Sequence, residues 1–239
     1  LRRRVAMAKS LPLVLVPGLL CSARLYTPQL TALWPFGQVA VADHRRQDHI
    51  AAVADHILRE APPRFALAGL SFGGYLAFEM MRQAPERIGK LALLDTSPRA
   101  DTPEQTAARY AFISMTEEGR FADVVETLTP RFVHANRRSD GALIGTVHAM
   151  AADTGPEAFV RQEKAIISRP DSRPLLGSIR CPTLVLVGDG DELTTPEIAR
   201  EIAGGVAGAN LVVVPNCGHL STIERPEPVN AALAEWLEA

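Results

Sequence analysis

Six short runs of almost wholly apolar residues constrain this chain more than any other feature. They are Leu13 to Val16, Val39 to Ala42, Phe65 to Ala68, Lys90 to Leu94, Thr183 to Val187 and Asn210 to Val214. A strand with one wet face alternates apolar and polar residues; these runs do not alternate, so both faces must be buried, as in a parallel sheet covered by helices. Helical patterns separate the runs: Thr27 to Leu33, Ile50 to Glu60, Gly73 to Ala84, Pro196 to Ala203 and Pro228 to Leu237. Strand and helix in alternation specify an α/β fold with about six, mostly parallel strands in one sheet. At 239 residues, 47% of them hydrophobic, the chain is long enough to cover both faces of such a sheet.

The alternation stops between residues 97 and 173. Thr102-Pro103-Glu104-Gln105 reads as a capping box with proline at the first helical position. Helices are expected near Arg120 to Leu128, Ser139 to Ala152 and Pro156 to Ser168, punctuated by Pro130, Pro170 and Pro174. The sequence therefore predicts a core of residues 1–96 and 174–239 and an all-helical cap of residues 97–173. That cap would lie over the carboxyl ends of the strands, where open α/β sheets bind ligands. Phe112, Phe121, Phe132, Met150 and Phe159 are its apolar candidates for a pocket wall or for internal packing.

Charge excludes some partners. Lysine and arginine number 25 against 27 acidic residues, a net charge of −2, which gives neither nucleic acid nor an anionic membrane a reason to bind. Arg2, Arg3 and Arg4 ahead of the apolar run Leu11 to Cys21 imitate a secretion signal. Pro12, Pro17 and Gly18 interrupt that run, and the bulky Leu20 precedes the cysteine, so a buried strand and turn is expected instead; Met7 is a candidate start. No other run approaches the ~20 apolar residues of a membrane span. Three scattered cysteines, Cys21, Cys181 and Cys217, suit a reducing, cytoplasmic setting and form no zinc pattern.

The chemistry concentrates at strand ends. Gly69-Leu70-Ser71-Phe72-Gly73 follows one apolar run and opens a helix. Such a turn exposes a serine hydroxyl at a helix N-terminus, where negative charge is favoured. A serine is a weak nucleophile without a base. His219, in Asn216-Cys217-Gly218-His219 just past the last strand run, is the candidate. The imidazole needs an acid, and three are in range: Asp189 and Asp191 after the fifth run, and Asp95 after the fourth. Oxyanion donors are expected from the backbone N–H groups of Phe72 and of Leu19, the latter in the loop Val16-Pro17-Gly18-Leu19-Leu20. Asp43, His44, Asp48 and His49 could suggest metal ligands, but read better as a polar loop leading into a helix; no metal, nucleotide or other cofactor is expected.

Across nearly its full length the chain resembles the α/β-hydrolase superfamily. The resemblance rests on LVLVPGLLCSARLYTPQL, LAGLSFGGYLAFEMM, CPTLVLVGDGDELTTP and NCGHLSTIERPEPV. It implies that the acid is the aspartate closing a G-x-x-D turn, Asp191 counted from Gly188, with Asp95 second and Asp189 a turn cap. It also matches His219, Glu224 and Pro226 to a G-H-x-x-x-x-E-x-P run. Pro17-Gly18 departs from the His-Gly that many relatives carry in the oxyanion loop, and a usual strand pair ahead of Leu13 is missing, so a short sheet is expected. Serine rather than aspartate at the turn argues against dehalogenase and epoxide hydrolase chemistry. The function implied is a cofactor-free serine hydrolase of a carboxylic ester, lactone or thioester. The alternatives are perhydrolase or acyltransferase work on the same residues, and a non-catalytic binding protein.

Overall fold

The structure, a computed structural model, describes residues 11–239. The arginine cluster and Met7 lie outside the described residues. Six strands, β1 (Leu13–Val16), β2 (Val39–Val41), β3 (Phe65–Leu70), β4 (Ile88–Leu94), β5 (Thr183–Gly188) and β6 (Asn210–Val214), form one sheet in the order β2-β1-β3-β4-β5-β6. All five pairings are parallel.

The side-chain period of two divides the sheet's residues between two cores. Leu13, Leu15, Ala66, Ala68, Ala92 and Leu94 face one; Val14, Val16, Phe65, Leu67, Leu91 and Leu93 face the other. The first core is closed by α1 (Thr27–Leu33) and the C-terminal helix α11 (Pro226–Glu238). Helices α2 (Ile50–Glu60), α3 (Phe72–Gln83) and α9 (Pro196–Gly205) close the second. Two-sided burial explains why the inner strands β1, β3, β4 and β5 carry no polar stripe; β2 and β6, at the sheet's edges, are covered only in part, with Ala40 and Val213 exposed, so the expectation of full burial fails for those two runs.

Between β4 and β5 the chain runs through α4 (Pro103–Glu117), α5 (Phe121–Phe132), α6 (Gly141–Thr154), α7 (Pro156–Ile167) and the single turn α8 (Arg173–Leu176). The capping box forms as read: Thr102 Oγ1 accepts from the Gln105 N–H, and Gln105 Oε1 accepts from the Thr102 N–H. Pro130 does not end α5 as expected from sequence. It lies inside the last turn, and the helix continues to Phe132. One further turn, α10 (Ser221–Glu224), precedes α11. No helix among the described residues is long and apolar enough to cross a membrane.

Other boundaries move by a residue or two. β3 continues through Gly69 and Leu70 because both pair with β4, and α3 begins at Phe72 directly after Ser71. Only Ser71 is left to make the corner.

Candidate active site

Among the described residues, four non-glycine residues have positive φ, and each lies just beyond a strand's carboxyl end: Leu20 (φ 59) after β1, Ser71 (φ 56) after β3, Asp95 (φ 43) after β4 and Asn216 (φ 51) after β6. Strain of this kind persists only where the surroundings enforce it, and here it marks one edge of the sheet. At Ser71 the enforcement comes from glycine. A Cβ on Gly73 would collide with the Val16 carbonyl, and one on Gly69 with the backbone of Gly73. The two glycines let strand, turn and helix close up so tightly that the serine is forced outward.

Ser71 Oγ lies 2.8 Å from His219 Nε2. His219 Nδ1 lies 2.8 Å from Asp191 Oδ2. The three groups come from the ends of β3, β6 and β5 and form one hydrogen-bonded line. Ser71 is half-buried, whereas His219 and Asp191 are each 3% exposed. Burial by itself would raise the Asp191 carboxyl. The His219 charge, its hydrogen bond and the Thr194 donors hold it down at about 2. For His219, burial pulls the imidazole down, but the Asp191 charge and hydrogen bond outweigh it and leave it above its ordinary 6.5.

The other two acids do different work. Asp95 is fully buried and accepts from the Gly188 N–H at 2.9 Å and from the Ser221 hydroxyl. Neither of these hydrogen bonds is made to the imidazole. Burial pushes its carboxyl well above the usual range, and the nearby Asp191 charge adds to this. Asp189 does not cap its own turn. Its Oδ1 accepts from the Cys217 N–H at 3.1 Å and so ties the β5 turn to the loop that carries His219. The reason is proximity: β5 and β6 are neighbours, so their loops run side by side.

Sequence reasoning passed over Thr194, and it placed Glu224 in a motif without giving it a task. Thr194 donates its hydroxyl to Asp191 Oδ2 at 2.6 Å, and the N–H groups of Leu193 and Thr194 donate to Oδ1. An aspartate that hydrogen-bonds its own backbone two and three residues on is a local signal, and the turn after Asp191 carried it. Glu224 is buried and accepts from the N–H groups of Gly218 and His134 at 3.0 and 2.9 Å. It joins the histidine loop to the end of α5, where the Phe132 ring stacks on the His219 ring at 6.2 Å. In the polar loop ahead of α2, Asp43 pairs with Arg45 and Arg46, His49 caps α2, and His44 is buried against the Pro17 carbonyl.

A cavity of about 470 Å³ opens onto Ser71, His219 and Leu19. Its far walls come from α4, α5 and α7, including Phe112, Leu128, Phe132 and Glu163. Of the five apolar candidates, Phe112 and Phe132 reach it. Met150 and Phe159 are buried in the first core and Phe121 packs against it, away from the cavity.

The sequence profile described as the alpha/beta hydrolase family matches residues 12–232. The chain belongs to the alpha/beta hydrolase family. Among curated relatives, this hydrolase is 25% identical over 222 residues to a pimeloyl-[acyl-carrier protein] methyl ester esterase of Neisseria meningitidis serogroup B (strain H44/76); the match covers 88% of this chain and 85% of that one. Among solved structures, a thermophilic esterase from Thermogutta terrifontis superposes with a TM-score of 0.86 at 29% identity, over 95% of this chain and 89% of that one. The enol-lactonase from Burkholderia xenovorans LB400 superposes with a TM-score of 0.86 over 96% and 92% of the two chains; at 23% identity it supports the fold. The hydrolase is carboxylesterase-like in its relatives.

Proposed function

We propose that this hydrolase cleaves a carboxylic ester, lactone or thioester through an acyl-enzyme on Ser71. One observation carries the reading: the unbroken line Ser71 Oγ, His219, Asp191 ends in a cavity large enough for a small substrate. Ser71 Oγ attacks the carbonyl carbon while its proton passes to His219 Nε2. Asp191 holds Nδ1–H and stabilises the imidazolium. Negative charge moves to the carbonyl oxygen, which the N–H groups of Phe72 and Leu19 receive. The tetrahedral intermediate collapses, the alcohol or thiol leaves with the proton from His219, and the acyl group stays on Ser71. Water, deprotonated by the same imidazole, repeats the sequence and releases the carboxylic acid.

The reading includes α4 to α7 as a cap that roofs Ser71 and selects the acyl group, since α4, α5 and α7 supply the cavity's far walls. It also includes a reducing, cytoplasmic setting for the three unpaired thiols. Similarity to proteins named as esterases supports a carboxylic ester before a thioester.

The test is covalent labelling. A fluorophosphonate should modify the wild-type protein at Ser71, and the protein should hydrolyse p-nitrophenyl esters. Ser71→Ala should abolish both with the melting temperature nearly unchanged. Labelling that survives the substitution overturns the assignment.

A further inference from the structure

Leu20 is a leucine held at φ 59, a conformation its Cβ disfavours. Three hydrogen bonds around it explain how that conformation is kept. The Leu20 N–H donates to Gln162 Oε1 at 3.1 Å. Gln162 belongs to α7, 142 residues along the chain, and its side chain is wholly buried. Gln162 Nε2 lies 3.2 Å from His44 Nδ1, and His44 Nε2 lies 3.0 Å from the Pro17 carbonyl oxygen.

The donors and acceptors in this circuit fix one another. A backbone N–H can only donate, so the Gln162 atom facing Leu20 is its oxygen. The amide nitrogen therefore faces His44 and donates to Nδ1, which must be bare. The remaining imidazole proton is on Nε2 and points at a carbonyl that can only accept. A neutral His44 is required, and burial favours it, pulling the imidazole down to about 4. The circuit leaves the loop after β1 at Leu20 and returns to it at Pro17, bracketing Gly18 and Leu19. The His44 ring also lies against the Phe72 ring, with centroids 5.3 Å apart. Of the two residues whose N–H groups would receive the oxyanion, Phe72 thus touches His44 and Leu19 lies between the two loop positions that the buried pair holds.

We propose that Gln162 and His44 are positioning residues that set the Leu19 N–H for the oxyanion and couple helix α7 to the catalytic turn. The inference rests on the acyl-enzyme reading above. Neither side chain lines the cavity, so neither meets substrate. Their effect passes through the loop's geometry, and catalytic geometry is sensitive: a displacement of about 1 Å costs on the order of 100-fold in rate.

The experiment compares Gln162→Leu, His44→Phe, the double variant and His44→Gln, each assayed well below its own melting temperature. His44→Phe keeps the ring packing and removes both hydrogen bonds. His44→Gln restores one acceptor and one donor. On p-nitrophenyl butyrate, each of the first two should lower kcat by about 10- to 100-fold, short of the full loss of an oxyanion donor, with KM changed by less than about threefold. Affinity for a trifluoromethyl alkyl ketone, whose oxygen becomes an oxyanion when Ser71 adds, should fall by the same factor. The double variant should be no worse than the poorer single by more than about threefold, because either change opens the same circuit. His44→Gln should lie within about fivefold of wild type. Unchanged kcat, unchanged ketone affinity, or losses that multiply in the double variant would overturn the positioning role while leaving Ser71 intact. A wild-type protein that fluorophosphonate does not label at Ser71 overturns the hydrolase reading, and this inference with it.

Discussion

Asp191 and Asp95 have the same side chain and opposite environments. Asp191 receives an imidazole, a hydroxyl and two backbone N–H groups, which stabilise its charge. Asp95 receives one N–H and one hydroxyl in full burial, which favours its neutral form. Asp191→Asn should therefore cut turnover by about 10⁴-fold, as expected when an imidazole loses its orienting carboxylate. Asp95→Asn should cost less than about 10-fold, since an amide can still accept from Gly188 and donate to Ser221. Steady-state kinetics on both variants checks this, and the reverse ranking would move the acid to Asp95. The same pair sets the pH dependence. In the proposed mechanism His219 must be neutral to act as base, and its partner raises its pKa, so kcat/KM should rise with pH along a limb centred above 6.5. The stability contribution has the opposite window for each partner. That of Asp191, whose pKa is depressed, is present above about 3.8 and lost as pH falls through about 2; that of His219 is full below about 6.5 and lost as pH rises through its higher folded value.

Among the elements, α4 to α7 hold the specificity question. A largely buried ionic cluster fastens α4 to α7: Arg109 of α4 meets Asp101 at 2.6 Å and Glu163 of α7 at 2.7 Å, while Arg169, just past α7, meets Asp101 at 2.7 Å. Phe112 of α4 and Met150 of α6 have the same apolar character but different places. Phe112 is half-buried at the cavity; Met150 is fully buried in the core. Phe112→Ala should move the preferred p-nitrophenyl ester toward longer acyl chains with little change in melting temperature. Met150→Ala should destabilise by about 2–5 kcal/mol and lower activity on every chain length alike. Acyl-length profiles measured beside thermal melts decide; a uniform loss for Phe112→Ala would reject α4 as a selecting wall.

At the scale of the whole molecule, α5, α6 and α7 do not form a core of their own. Val124, Leu128, Met150 and Phe159 belong to one apolar cluster with Leu15, Ala68 and Leu94 of the sheet and Trp236 of α11. A segment that shares its core with the sheet should unfold with it. In urea, loss of esterase activity and loss of far-ultraviolet circular dichroism should have coincident midpoints. Activity lost at clearly lower urea would mean that the helices between β4 and β5 melt as an independent unit.

How much of this was written in the sequence follows from the range of the forces involved. Runs such as Leu13–Val16 and Thr183–Gly188 are buried on both faces, and their composition shows it without any knowledge of neighbours. Likewise Gly69 and Gly73 flank a serine because backbone must pass within contact of backbone there, a requirement local enough to appear as a five-residue motif. Pro130 misled because the first-turn and punctuation rules are local, whereas packing of Leu128 and Phe132 into the shared core carries α5 past it. The order of the strands, the choice between Asp191 and Asp95 by hydrogen bonding, and the meeting of Ser71 with a histidine 148 residues away depend on which loops the sheet brings side by side. Gln162 and His44 are the extreme case. Each is an ordinary polar residue in its own segment, and only burial beside the loop after β1, where every donor must find an acceptor, gives the pair a purpose.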